Sequence, residues 1–115
     1  YLDALVLPAG VAFHNAHQDT LSFSVYDTDG FHPSIHGTYL VACTMLAGIW
    51  NINPIGNSYH PPEISPAQAL LLQTIAWDTV QREHHKTAQR HLLPSLPQPL
   101  EVLPFQIMPQ DEVAA

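Results

Sequence analysis

Basic residues are nearly absent: three lysines and arginines stand against ten aspartates and glutamates, a formal charge of -7 in 115 residues. A chain so short of cations has no patch with which to grip a phosphate backbone or an anionic lipid surface. Nucleic-acid binding is therefore the class its composition argues against most strongly. Cysteine is scarcer still. Cys43 stands alone, which excludes an internal disulfide and a metal site built from thiolates. Its place in an apolar helical run predicts a buried, inert thiol that does not identify the compartment. No apolar run approaches the ~18 residues of a membrane span, no signal peptide is visible, and no internal repeat is evident. The first residue is Tyr1 rather than methionine, so any signal would lie upstream of it.

Against these absences stands one stretch suited to chemistry, Asp27-Thr-Asp-Gly-Phe-His-Pro-Ser34. An aspartate three residues ahead of a histidine, on a glycine-bent loop that feeds a helix, can fold back to take the imidazole Nδ1 proton. The other ring nitrogen then points outward. This is the orienting half of a nucleophile-histidine-aspartate triad, in which the acid fixes the tautomer and stabilises the imidazolium. Asp29 and His32 have this spacing; Asp27 does not. Gly30 admits a backbone conformation closed to other residues, and Pro33 biases His32 away from helical dihedrals while suiting the first turn of a following helix. An isolated D-x-x-H, read by itself, is more often structural than catalytic.

The wider string is more specific. Asp29-Gly-Phe-His-Pro-Ser34, then Gly37-Thr-Tyr-Leu-Val-Ala-Cys43, then Asn53-Pro-Ile-Gly56 resembles the last conserved block of the SGNH (GDSL-type) hydrolases and the segment after it. The likeness reaches back to Leu7-Pro-Ala-Gly-Val-Ala-Phe13 and forward to Leu72-Gln-Thr-Ile-Ala-Trp77, about the first 80 residues. It implies a catalytic pair of His32 and Asp29, and an α/β fold: a three-layer α/β/α sandwich with a parallel sheet, flavodoxin-like. It implies hydrolysis of a small-molecule, carbohydrate or lipid ester by a serine, with neither a metal nor an organic cofactor. At 115 residues the chain is short for several strand-helix units, and the expectation is the C-terminal portion of a longer protein. Residues 1–91 would be the hydrolase-like portion and 92–115 a proline-rich extended tail.

Taken in order, residues 4–7 are apolar and bounded by Pro8 and Gly10, as a buried strand of a parallel sheet would be. A short helix is expected from residue 10 to about 17, ended by turn chemistry at Asp19-Thr20. The alternation in Leu21-Ser-Phe-Ser-Val-Tyr26 suggests a strand or extended segment leading into the Asp27 loop. From residue 34 to about 51 runs a central helix, apolar nearly all round, expected to pack on a sheet with Gly37 permitting close approach. Residues 51–62 are rich in breakers and read as an ordered surface loop bordering a cleft. Ser65-Pro-Ala-Gln68 reads as a capping box opening a helix to about residue 89. Asp78 and Arg82 pair on its polar side. Prolines at 94, 97, 99, 104 and 109 exclude long helices from the remainder.

Three histidine groups invite a metal reading: His14 with His17, His32 with His36, and His84, His85 and His91. A pair does not complete the three or four protein ligands that zinc usually takes, and for His84, His85 and His91 nothing nearby supplies a convincing carboxylate-plus-histidine set, while histidines in a helix's last turns complement its dipole. Solvated helix-face residues are the plainer account, and in the family likeness His36 occupies a variable position. The family's serine block and the blocks supplying its oxyanion donors have no counterpart here. Ser34 is better suited to starting a helix than to attacking a carbonyl. The resemblance thus implies a chain that supplies the acid-base pair while the nucleophile lies upstream. The alternatives are a non-catalytic or degenerate domain used for binding or assembly and, behind it, a histidine-based metal module.

Overall fold

In the computed structural model, residues 4–18 and 22–92 are described, with side chains as far as residue 88. They form three helices, α1 (Ala9–Gln18), α2 (Ile35–Trp50) and α3 (Pro66–Leu92). Two compact units divide the chain at His84 and His85, within α3. The second unit is described only through the end of that helix.

The three-layer α/β sandwich is not what forms. Among the described residues there is no strand; the only pairing is a single antiparallel bridge between Tyr26 and Pro33. Residues 4–7 have no partner strand among the described residues, and Leu5 and Val6 are exposed to solvent. The end of the alternating 21–26 segment turns back on the loop that follows it. The physical reason is one of partners: an apolar run becomes a strand only when a neighbour takes its backbone N–H and C=O groups. The long periodic segments among the described residues are helical, so none of them offers a neighbouring strand. Leu2, the Asp19-Thr20 turn, Leu21 and the proline-rich tail beyond residue 92 lie outside the described residues.

Helix α2 is set by its ends. Ser34 is the N-cap, its Oγ accepting the Gly37 N–H, and Asn51 closes the other end in the left-handed conformation (φ 54°) with its N–H on Leu46 O. One face carries Tyr39, Leu40, Cys43, Thr44 and Ala47, all buried. Of these, Tyr39, Leu40 and Cys43 form the core cluster with Ala12 and Ala16 of α1 and Ala69, Leu72, Ile75 and Ala76 of α3. The opposite face does not follow the expectation of burial all round: Ile35, Met45 and Ile49 are exposed, as is Trp50 at the last position of the helix. Gly37 does permit a close approach, but to the bend at Val25 and to α1 rather than to a sheet: Val25 O and Phe13 Cζ occupy the space of a side chain. Leu7 is seated in the same way over Gly48.

Helix α3 opens with the predicted capping box, Ser65 Oγ accepting Gln68 N–H at 3.1 Å and Gln68 Oε1 accepting Ser65 N–H at 3.0 Å. Its polar side carries the Asp78–Arg82 pair at 2.9 Å, exposed and worth a few tenths of a kcal/mol. The helix meets α1 through Asn15 Nδ2, which donates to Thr79 Oγ1 at 2.8 Å.

Candidate functional site

The loop between Val25 and Ser34 is a closed turn. Asp27 N–H donates to His32 O at 2.7 Å, Gly30 N–H to Asp27 O at 2.9 Å, and Ser34 N–H to Val25 O at 2.9 Å. Gly30 sits at φ 71°, a left-handed conformation that a residue with a Cβ adopts only with strain. This closure brings residues 29 and 32 face to face.

Asp29 is held from three directions. Its Oδ1 accepts the backbone N–H of Phe31 at 2.9 Å and of His32 at 3.0 Å, and its Oδ2 lies 2.6 Å from His32 Nδ1. An ionised carboxylate only accepts, so the Nδ1 atom carries the proton and Nε2 presents a lone pair. The bond from the His32 side chain, followed by those from the two backbone N–H groups, lowers the Asp29 pKa below its ordinary 3.8. The histidine side chain is 68% exposed, and the Phe31 ring stands edge-on to it with centroids 4.9 Å apart. Asp27 plays another part: its Oδ1 accepts the N–H of Thr28 at 2.8 Å.

No serine is poised on His32 in these residues. Ser34 Oγ donates to Ser24 O at 2.7 Å while accepting Gly37 N–H at 3.2 Å, so its hydroxyl proton is engaged in holding the loop to the helix. Ser24 Oγ accepts Tyr26 N–H, and Ser65 belongs to the capping box. Ser95 lies outside the described residues.

His36 is not a second member of the pair. Its ring stacks on Phe23, centroids 4.4 Å apart, and its Nε2 lies 3.0 Å from Gln68 Oε1. That oxygen already accepts Ser65 N–H, which identifies it as the amide oxygen and makes His36 Nε2–H the donor. The histidine is thereby tied to the start of α3. Among the described residues no three histidine, cysteine, aspartate or glutamate side chains are grouped as a metal would need. The His91 side chain lies outside them.

Sequence reasoning missed Gln73. Buried on α3, it accepts Gly56 N–H through Oε1 at 3.0 Å and donates through Nε2 to Tyr39 Oη at 2.9 Å and to Asn57 O at 3.0 Å. Tyr39 Oη in turn donates to Tyr59 O at 2.8 Å. One amide thus pins residues 56–59 to α2 and α3. A glutamine among the apolar positions of a helix was the available signal, since a buried amide needs partners. The loop does border a cleft of about 330 Å³, lined by Gly56, Asn57, Ser58, His60, Pro66, Ala69, Leu70 and Gln73. Neither Asp29 nor His32 is among those residues.

Among the described residues, no helix is long and apolar enough to cross a membrane. Comparison with known proteins adds no relative: no protein-family model, no curated protein and no solved structure matches this chain.

Proposed function

We propose that Asp29 and His32 are the acid-base part of a serine-type ester hydrolase, with the nucleophilic serine and the oxyanion donors supplied from outside these 115 residues. The observation that carries this reading is the 2.6 Å contact between Asp29 Oδ2 and His32 Nδ1, on a histidine side chain that is largely exposed. In the reaction, His32 Nε2 takes the proton of the attacking serine as its oxygen bonds to the ester carbonyl carbon. The same proton then passes to the departing alkoxide, and water repeats the sequence on the acyl-enzyme. Asp29 keeps Nε2 free of hydrogen in the resting state and stabilises the imidazolium. The scarcity of cations supports an ester over a polyanion as substrate.

The reading is tested by following hydrolysis of a nitrophenyl acetate by the 115-residue chain and by a longer product that includes any coding sequence preceding Tyr1. The short chain should not exceed a His32→Ala control, which subtracts the background of the other histidines. The longer product should be active, lose several orders of magnitude in kcat with His32→Ala, and lose about 10⁴-fold with Asp29→Asn, the magnitude known for a serine protease. A folded longer product that keeps full activity without His32 overturns the proposal. A second reading, binding or assembly without catalysis, is favoured by the apolar outer face of α2 and would show as inactivity in both forms.

A further inference from the structure

We infer that the Asp29–Gly30 bond is a site of spontaneous covalent modification, isomerisation of Asp29 to isoaspartate, and that the His32 contact holds the reaction back. The inference rests on the geometry of the turn and stands whether or not the pair catalyses hydrolysis. Of the aspartates and asparagines in the chain, Asp29 alone precedes a glycine, the one neighbour whose amide nitrogen is not screened by a Cβ. In the reaction the Gly30 nitrogen attacks the carboxyl carbon of the Asp29 side chain. The new N–C bond closes a five-membered succinimide, and the carboxyl hydroxyl departs with the amide proton as water. Water then opens the ring at either carbonyl. One cleavage restores aspartate; the other leaves the backbone running through the side-chain carbon, with the carboxylate directly on Cα. The water released is the water regained, so no other reactant is needed.

Access favours this chemistry. Residues 27–32 are all exposed to water, and the space where a Cβ of Gly30 would stand is open, which leaves room for the ring. Three features of the turn oppose it. Both oxygens of Asp29 are engaged, Oδ1 by the N–H groups of Phe31 and His32 and Oδ2 by His32 Nδ1, and the carboxyl must release them to swing back on Gly30. The attacking nitrogen is held as well, its N–H donating to Asp27 O at 2.9 Å. Ionisation is the third. Only a carboxylic acid has a hydroxyl to release, and the lowered pKa of Asp29, due first to the His32 side chain, keeps it a carboxylate. His32 thus acts in two of the three. Isomerisation lengthens the backbone by a methylene and shortens the side chain by the same unit, so the carboxylate loses its reach to His32 Nδ1. The turn guards the residue that closes it.

The test is to incubate the full chain, warm and at neutral pH, in buffer and in guanidinium chloride, and to separate the aspartate and isoaspartate forms of the peptide containing residues 27–34 by chromatography with electron-transfer fragmentation. Isoaspartate should accumulate at Asp29 in denaturant, and roughly tenfold or more slowly in the folded chain, where only the opened turn reacts. His32→Ala should speed the folded-state reaction by roughly threefold or more, since a hydrogen bond to a charged group is lost. His32→Asn, whose amide nitrogen can stand where Nδ1 stands, should stay near the parent rate, and so should Phe31→Ala, which keeps its backbone N–H. Should His32→Ala lose helix by circular dichroism, His32→Phe, a ring without a donor, takes its place. Absence of isoaspartate at Asp29 in denaturant overturns the site. A folded-state rate equal to the denatured one, or a donor-free variant at His32 that reacts no faster than the parent, overturns the restraint by His32.

Discussion

Gly37 lies against the carbonyl of Val25 so closely that a Cβ built on it would collide with that oxygen, and would stand 2.9 Å from Phe13 Cζ. The obstacle is backbone, which does not yield as the tip of a side chain does. Gly37→Ala gains intrinsic helix propensity, yet it should destabilise the chain by ~1–3 kcal/mol or more through overpacking. Urea unfolding followed by circular dichroism measures it. Gly10, with nothing near the corresponding position, is the control: Gly10→Ala should be neutral or stabilising.

The Asp29 carboxyl provides a pH test with a definite sign. Its folded-state pKa is lowered from 3.8, first by the His32 side chain and then by the N–H groups of Phe31 and His32. A depressed carboxyl contributes stability that is present in full above its unfolded value and is lost as pH falls through the folded one. The contribution should therefore hold from neutral pH down to the region of 3.8 and vanish below it. Carbon-detected NMR should place the Asp29 midpoint under 3.8 and should show it moving upward in His32→Ala.

Replacing Gln73 should cost more than its single side chain suggests. Gln73→Leu leaves the Gly56 N–H and the Asn57 carbonyl without the partners they have now, and removes a donor from Tyr39. Gly56 and Asn57 are exposed, where water replaces those partners, so the loss expected is that of ordinary hydrogen bonds, about 0.5–1.5 kcal/mol each. Hydrogen exchange at Gly56 should quicken by at least tenfold, while the amide of Ala16 in α1, outside this network, should quicken only as far as global stability falls.

Cys43 should be slow to react. Burial pushes its thiol up to about 11, against a smaller opposing effect of the Tyr39 hydroxyl, so the nucleophilic thiolate is scarce near neutral pH. Alkylation by iodoacetamide should be far slower in the native chain than in denaturant. A native rate equal to the denatured one would contradict both the burial and the shift.

Local signals proved readable where the interaction is itself local. The capping box at Ser65 and Gln68, the αL-tolerant Gly30, the Ser34 helix start and the three-residue reach of Asp29 to His32 all depend on near neighbours in the chain. The sheet was misread because residues 4–7 have the composition of a strand, and composition does not reveal whether a partner strand exists. The outer side of α2 was misread for a related reason. Its residues are apolar enough for burial, but burial depends on what stands opposite, and here Ile35, Met45 and Ile49 face solvent. Gln73 joins residues 16 and 34 positions away, beyond the reach of any periodicity.

The closeness of Asp29 and His32 along the chain also bears on the order of folding. Bringing them together closes a loop of only a few residues, an event of small entropic cost that local loop formation completes within about 100 ns. The contacts joining α1 to α3, such as Asn15 to Thr79 across 64 positions, must await the collapse of the intervening chain and set the slower rate. The aspartate-histidine turn therefore belongs to the earliest structure formed. Substitutions in it should leave the refolding rate governed by the distant helices.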